Sequence, residues 1–408
     1  MTRYGIFCFL GRGHLDPAIA IGRTLIRRGH DVTIFHLSIA QAAVRAANLD
    51  FSAIDQGEPA WPKSPEVKQK FRWSGTVDAV TRHTIRILRE GPRALTEKKV
   101  DVVLADQLDL AAGTAAESLG LPFLTLSCSP PIYLDETVPP PYFGWQPTLD
   151  AAGRRRNLRA NALVERFARP ALHEINRHRA RLRLPLVTGI NGLFSKKAIV
   201  TQLPRLLEFP RRMPSHLYYT GQFRDECSET GMQFDWTRLS GRPLVYASMG
   251  TVRNTSEEVF RLIALACAQF KVQLVLSLGG GTLLPSHLGQ LPGDPIMLHY
   301  ARQRALIQRA SLVINCAGLN TTLECLRHGV PMIAIPVGED QPGVAARIAR
   351  ASVGIVLPIE DLTVDGLASA IRQLLDEDNY RTSAVQVQQQ LHGIEGANEA
   401  VDLIEKVV

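Results

Sequence analysis

The sequence predicts an α/β protein made of two parallel-sheet domains. Short apolar runs at 4–10, 32–36, 102–105 and 123–127, and again at 244–247, 272–277 and 312–314, alternate with helical segments, the pattern of buried parallel strands. A chain of 408 residues is long enough for two domains of ordinary size. Residues 202–240, with prolines and glycines at either end, read as the region between the two series of strands.

In the first half, the strand 4–10 meets the turn Gly11-Arg12-Gly13-His14, and Asp16-Pro17 leads into a helix over about 18–28. Gly29-His30-Asp31 then turns the chain into the strand 32–36, completing a βαβ unit. The turn lacks Gly-x-Gly-x-x-Gly, and the second strand ends Phe35-His36-Leu37 with no acidic residue, which speaks against a nicotinamide cofactor. His14 lies just past the carboxyl end of a strand, where functional side chains of open α/β sheets collect. Taken alone, it reads as a surface histidine near a helix start. Asp106 ends the strand 102–105 and, taken alone, caps a helix over 108–119.

After the strand 123–127, residues 129–147 are rich in proline and aromatics, among them Tyr133, Tyr142, Phe143 and Trp145. A stiff apolar loop at the sheet's carboxyl edge suits a hydrophobic ligand, and it reads equally well as a packed surface loop. Residues 151–183 hold ten arginines against Glu165 and Glu174, a local net of +8 in a chain whose total is +7. Leu163, Phe167, Ala171 and Ile175 recur every four residues, predicting a helix with one apolar face, one basic face and a kink near Pro170. Such a face is either solvated or drawn to an anionic membrane or small molecule.

The second series opens with the strand 244–247 and the turn Ser248-Met249-Gly250-Thr251, followed by a helix over 256–269. After the strand 312–314, the small residues Ala317 and Gly318 precede Asn320-Thr321-Thr322, a helix N-terminus, and Gly329 with Pro331 ends that helix. Strand, tight turn and helix start bring free N–H groups and the positive end of a macrodipole together, an anion site suited to a diphosphate. Glu324 lies one turn into the helix on the face of Asn320, where a carboxylate accepts two ribose hydroxyls. Past the strand 332–336, Asp340 and Gln341 offer an acceptor pair and an amide to sugar hydroxyls, with Pro342 in the first turn of a helix.

Composition narrows the function classes. Hydrophobic residues make up 45% and charged residues 21%, a soluble globular balance. Six cysteines without Cys-x-x-Cys spacing argue against structural zinc and a disulfide framework and for a reducing cytosol. The first apolar run is too short for the core of a signal peptide, and no apolar stretch reaches bilayer-spanning length. The positive charge is confined to one segment rather than spread and interleaved with aromatics, which argues against nucleic acid.

Taken together, Gly318-Leu319-Asn320-Thr321, Glu324, Gly329-Val330-Pro331-Met332 and Asp340-Gln341 resemble the donor-site motif of the UDP-glycosyltransferases. The resemblance spans essentially the whole chain. It implies the GT-B fold, in which two Rossmann-like domains with parallel sheets face one another across a cleft, and an inverting, metal-independent transfer. Gly13-His14-Leu15-Asp16-Pro17 matches the family's catalytic histidine motif, and Asp106 stands where an acidic residue orients that histidine. Ser248, Gly250 and Thr251 match the loop that contacts the donor phosphates, and Gln303, after Tyr300, matches the residue beside the uracil. Ala105-Asp106-Gln107, Leu119-Gly120-Leu121-Pro122-Phe123 and Asp340-Gln341-Pro342-Gly343-Val344-Ala345 are closest in flavour to bacterial zeaxanthin glucosyltransferases. One departure stands out: Asn315-Cys316 occupies the place of a Thr-His whose imidazole holds the diphosphate.

The resemblance thus implies an acceptor-binding domain over 1–205, a linker over 206–240, a nucleotide-sugar domain over 241–380, and a C-terminal helix over 381–408 crossing back to the first. Donor ligands are expected at Ser248, Gly250, Thr251, Gln303, Cys316, Gly318, Asn320, Thr321, Glu324, Asp340 and Gln341, and acceptor contacts at Tyr133, Tyr142, Phe143 and Trp145. The co-substrate is a UDP-sugar, with glucose suggested by Gln341; no metal or other cofactor is expected. The acceptor is a small hydrophobic alcohol or phenol, a carotenoid or another natural product. The expected location is the cytoplasm, with contact at the inner face of the membrane through 151–183. Two alternatives use the same fold: a non-hydrolysing nucleotide-sugar epimerase, opposed by the aromatic-proline loop, and a catalytically silent nucleotide-sugar-binding partner, opposed by His14 and Asp106 and favoured by Cys316.

Overall fold

Strands such as Val102–Asp106 and Leu244–Ser248 are buried along their whole length, which requires a sheet covered by helices on both faces. The computed structural model, which describes residues 1–55, 73–225, 234–251 and 257–408, contains two such sheets, each in its own compact unit. Unit 1 comprises Met1–Pro140, Pro147–Asp225 and Ile394–Val408; unit 2 comprises Pro141–Gln146 and Glu226–Gly393.

Unit 1 is built on β1 (Arg3–Phe7), β2 (Asp31–His36), β3 (Asp50–Ala53), β4 (Val102–Asp106), β5 (Phe123–Ser127), β6 (Ile199–Thr201) and β7 (Leu217–Tyr219). All pair in parallel, in the order β3-β2-β1-β4-β5-β6-β7. Alternate residues feed two cores: Ile6 and Ile34 on one face, Phe7 and Phe35 on the other. Unit 2 is built on β8 (Leu244–Ser248), β9 (Gln273–Ser277), β10 (Ile296–Leu298), β11 (Leu312–Asn315), β12 (Met332–Ala334) and β13 (Gly354–Val356). These also pair in parallel, in the order β10-β9-β8-β11-β12-β13. In both sheets the order reverses beside the first strand, between β1 and β4 and between β8 and β11. Those are the places where an open α/β sheet binds its ligands.

Several elements differ from the sequence expectations. The first helix is Arg12–Arg27 rather than 18–28, because Gly11 at φ 95 turns the chain directly out of β1 and Pro17 lies inside the helix instead of marking its start. The helix expected over 108–119 is only Ala112–Glu117, so Asp106 is not its cap. Residues 206–225, read as linker, include β7 and belong to unit 1; a three-residue strand is too short to show a period in sequence. At the C-terminus, the helix Asp378–Leu391 stays with unit 2, and only Ile394–Val408 joins unit 1.

The basic segment forms one helix, Ala151–Arg181, with Pro170 inside it. Its buried stripe is Gly153, Asn157, Ala160, Val164, Ala171 and Ile175. Ala171 and Ile175 face inward as expected, whereas Leu163 is 37% exposed and Phe167 half-buried, so the inward face is rotated from the one the leucine and phenylalanine suggested. Arg179 is withdrawn from the basic face: it is buried, paired with Glu117, and donates to Pro185 O at 2.6 Å. Among the described residues no helix is long and apolar enough to cross a membrane.

The last helix, Gly396–Val407, is part of unit 1's core. Ala397, Ala400, Val401 and Ile404 pack with Ile6, Ala18 and Ile21, and Arg28 pairs with Asp402 at 2.5 Å and Glu405 at 3.0 Å. Truncating Ile404, which is fully buried, removes core contacts and leaves a cavity. Ile404→Ala should therefore destabilise the protein by about 2–5 kcal/mol in urea denaturation; an unchanged midpoint would show that the helix is dispensable to the core.

Candidate active site

At the switch point of unit 1, the early start of the first helix puts His14 in its first turn, with the His14 and Leu15 N–H groups both donating to Gly11 O. The imidazole is thereby held over the end of β4, and its Nδ1 lies 2.7 Å from Asp106 Oδ2. The Asp106 side chain is 1% exposed and that of His14 is 16% exposed, so the imidazole covers the carboxylate and keeps an edge to solvent. A buried carboxylate needs compensating donors. Asp106 Oδ1 accepts the Leu108 N–H at 2.9 Å, and Cys128, just past β5, brings its thiol alongside. Burial first, then the negative charge of Asp106 and a hydrogen bond to it, hold the Cys128 thiol well above its ordinary pKa, protonated at neutral pH.

His14, Asp106 and Cys128 place one potential metal-ligating atom each within 4.8 Å of one another. Ligand atoms of a tetrahedral zinc shell stand roughly 3.3 Å apart, given bonds of about 2.0 Å. The 2.7 Å His14–Asp106 separation is instead that of a charge-assisted hydrogen bond. The residues fit an oriented acid–base pair better than a metal site.

Phe9 packs edge-on against His14 at 5.8 Å and against a second imidazole, His83, at 5.6 Å; His83 Nε2 lies 2.6 Å from Asp109 Oδ1. Sequence reasoning missed both Cys128 and this second pair. The available signals were the position of Cys128 past a strand end and the three-residue spacing of Asp106 and Asp109.

The loop after β5 is held by buried polar side chains. Gln107 Nε2 donates to Ser129 Oγ at 2.7 Å and Pro130 O at 3.2 Å, while its Oε1 accepts from Ile132 N–H at 3.1 Å. Arg211, paired with Glu208, donates to Tyr133 O at 2.9 Å and Pro131 O at 3.2 Å. Tyr133 belongs to unit 1 with its ring near Phe194, whereas Tyr142, Phe143 and Trp145 fall in the segment that belongs to unit 2. The four expected acceptor residues are therefore not gathered within one unit.

In unit 2, Ser248 ends β8 and Asn315 ends β11, paired in register, with Gly250 at φ 78 just beyond. Asn315 Oδ1 accepts the Ala317 N–H at 2.6 Å, holding a non-glycine residue at φ 61, and the buried Nδ2 has no partner among the described residues. Cys316 Sγ fills the space over Gly250, where a Cβ would approach it to 3.1 Å. Burial pushes this thiol up to about 11, so it is neutral at pH 7. The helix Leu319–Arg327 begins at Gly318 with no side-chain cap, which leaves its N-terminal N–H groups to other acceptors.

Asn320 and Thr321 lie in that first turn, and Thr321 Oγ1 donates to Gln303 Oε1 at 3.4 Å. Glu324 is buried, with His328 Nε2 at 3.2 Å and Arg304 Nε at 3.9 Å. Gln341 Oε1 accepts the N–H groups of Val337 at 2.8 Å and Gly338 at 3.1 Å, so the amide's remaining capacity is that of its NH₂ donors. Asp340 stands at the N-cap of the same helix, Gln341–Arg350, without capping it through its side chain. Thr251, next to Gly250, is half-buried.

Residues 195–407 match the family model described as UDP-glucoronosyl and UDP-glucosyl transferase, and residues 11–135 match the glycosyltransferase family 28 N-terminal domain. The chain is similar to a zeaxanthin glucosyltransferase of Pantoea ananas, with 27% identity over 97% of this chain and 93% of that protein. Among solved structures it resembles the glycotransferase of kitacinnamycin, with a TM-score of 0.80 and 20% identity over 100% of this chain and 99% of that one. It also resembles the glycosyltransferase VinC in complex with DTDP, with a TM-score of 0.71 and 20% identity over 100% and 99%. The fold is GT-B.

Because Gln107 meets the Ile132 N–H and two groups of the loop start, Gln107→Leu removes those buried bonds at nearly constant volume. The expected cost is about 1–3 kcal/mol by chemical denaturation; no cost would mean that water replaces the amide.

Proposed function

We propose, on the premise that this chain belongs to the UDP-glucoronosyl and UDP-glucosyl transferase family and is a glycosyltransferase, that it moves glucose from a UDP-sugar to a hydroxyl of a small hydrophobic acceptor, a carotenoid or similar natural product. The observation that carries this reading is the 2.7 Å bond between His14 Nδ1 and a buried Asp106 carboxylate at the switch point. Asp106 accepts the proton on Nδ1, which leaves the Nε2 lone pair of a neutral imidazole to act as base. As the acceptor oxygen attacks the anomeric carbon, its proton passes to Nε2, the bond from that carbon to the diphosphate breaks, and configuration inverts.

The departing charge on UDP is met by the N-terminus of Leu319–Arg327, with Asn320, Thr321, Ser248, Gly250 and Thr251. Gln303 is assigned to the uracil, Glu324 to the ribose, and Asp340 with the Gln341 amide to the sugar hydroxyls. Cys316, a neutral thiol, contributes little to the diphosphate. The reaction as proposed uses no metal, since the oriented base and the helix N-terminus supply the proton acceptor and the charge stabilisation. The likeness to a zeaxanthin glucosyltransferase supports a carotenoid-like acceptor and glucose; the family match speaks against the epimerase alternative, and the His14–Asp106 pair speaks against the silent-partner one.

A long apolar acceptor resides in a membrane, and the arginine helix supports work at its surface. Arg154, Arg155, Arg159, Arg166 and Arg169 are exposed, and so are Leu158 and Leu163 among them. Each basic residue near an anionic leaflet contributes about 1 kcal/mol.

Three experiments test the reading. UDP-glucose offered with carotenoid, phenolic and macrolide alcohols should yield a hexoside by mass. His14→Ala should lower turnover by about 10²–10⁴-fold, Asp106→Asn somewhat less, and neither should alter UDP affinity, since the nucleotide is assigned to unit 2. Full activity of His14→Ala toward an unactivated alcohol would remove the base assignment. Binding to anionic vesicles should fall steeply as salt rises and the Debye length shortens to about 8 Å. Replacing Arg154, Arg155 and Arg159 with Gln should weaken it while activity on a water-soluble phenol is kept; absence of vesicle binding at low salt would leave the helix a solvated surface.

A further inference from the structure

The six residues Pro141–Gln146 belong to unit 2, although the chain on either side of them belongs to unit 1. They are seated on the helix Gln341–Arg350 at three points. The Gly343 N–H donates to Pro141 O at 2.9 Å, and the approach is so close that a Cβ on Gly343 would stand 2.3 Å from that oxygen and 2.7 Å from Pro141 Cα. Gly144 lies over Pro342, whose carbonyl oxygen would be 3.5 Å from a Cβ there. Gln146 Nε2 donates to Ala346 O at 2.7 Å. From within the helix, buried Arg347 donates to Gly343 O at 2.9 Å, fixing the turn that receives the segment.

Between these anchors, Phe143 and Trp145 stack on one another, with ring centroids 4.4 Å apart and an interplanar angle of 28°. Both are half-buried. The helix that seats them is the one that Asp340 and Gln341 open, and the rise from Gln341 to Ala346 is only about 7–8 Å. The Gln341 amide is itself pinned by Val337 and Gly338. One short rigid stretch of helix therefore carries both the aromatic pair and the residues assigned to the sugar.

We infer that the Phe143–Trp145 stack is an acceptor platform carried by the donor unit, and that Gly343 and Gln146 are positioning residues that set its distance from the sugar. The acceptor it takes is a flat apolar framework, a polyene or fused aromatic system, laid against an outer ring face. This inference rests on the reading above, in which Asp340 and Gln341 hold the sugar and the acceptor is apolar. Its consequence is a division of labour: loosening the seat misplaces the acceptor hydroxyl while UDP binding is untouched.

The test compares the full-length wild type with Gln146→Ala, Trp145→Ala and Trp145→Phe, measuring acceptor KM, UDP affinity by calorimetry, and UDP-glucose hydrolysis to free glucose. Gln146 is exposed, so its replacement is compatible with folding. Trp145→Ala should raise acceptor KM by about ten-fold, the scale of one aromatic stacking contact. Gln146→Ala should raise it in the same direction and increase the share of sugar lost to water. Trp145→Phe should restore the KM, and UDP affinity should stay at the wild-type value throughout. Gly343→Ala should reproduce the effect together with a lower Tm. Wild-type transfer with acceptor KM unchanged in both Trp145→Ala and Gln146→Ala overturns the platform alone, as does a parallel loss of UDP affinity. Failure of the wild type to glycosylate any polyene, phenol or macrolide alcohol overturns the functional reading and the platform with it.

Discussion

The reversal of strand order is the constraint on which the rest of this molecule depends. Where β1 and β4 lie side by side, and again where β8 and β11 do, the chain leaves the two neighbouring strands toward opposite faces of the sheet. The carboxyl ends of those strands are left without a covering helix, and backbone and side chains there remain available to ligands. His14 follows β1 and Asp106 ends β4; Ser248 ends β8, and Asn315 ends β11 with Cys316 just beyond it. The residues assigned to each half of the proposed reaction therefore lie where the strand order of their own sheet reverses.

Burial then gives these groups their character. A carboxylate with a side chain 1% exposed persists only if donors surround it, and Asp106 has the imidazole of His14, a backbone N–H and the neighbourhood of a protonated thiol. The same requirement fixes the imidazole's tautomer, so protein structure rather than solution equilibrium decides which nitrogen carries the lone pair. In unit 2 the corresponding effect works on Cys316. Buried against Gly250, it is a neutral thiol beside the start of the helix Leu319–Arg327, whose N-terminus carries the positive end of the macrodipole.

The division of the chain between units is set by long-range packing. Residues 394–408 complete the core of unit 1 through Ile404 and Val401, and Pro141–Gln146 seat on a helix some 200 residues later, through a glycine that admits no side chain. Proline and aromatic content marks 129–147 as a stiff apolar loop, yet composition says nothing about which surface receives it. Gly343 reads in sequence as one small residue in a helix start; its reason is the Pro141 carbonyl lying where a Cβ would be.

By itself, the sequence determined what short-range physics controls. Apolar runs at 32–36, 102–105, 123–127, 244–247 and 312–314 became parallel strands, because a run of that length and composition is buried on both faces. Glycine turns next to them marked the carboxyl ends of the strands beside the reversal of strand order, and the spacing of Gly13-His14 and Asn320 through Gln341 carried the family resemblance. Tertiary structure decided the rest: the start of the first helix at Arg12, the approach of Cys128 to Asp106, the burial of Arg179 and exposure of Leu163, and the transfer of Phe143 and Trp145 to unit 2. Each of these turns on a neighbour far away in the chain, and local periodicity carries no information about such a neighbour until the sheets have formed and brought it close.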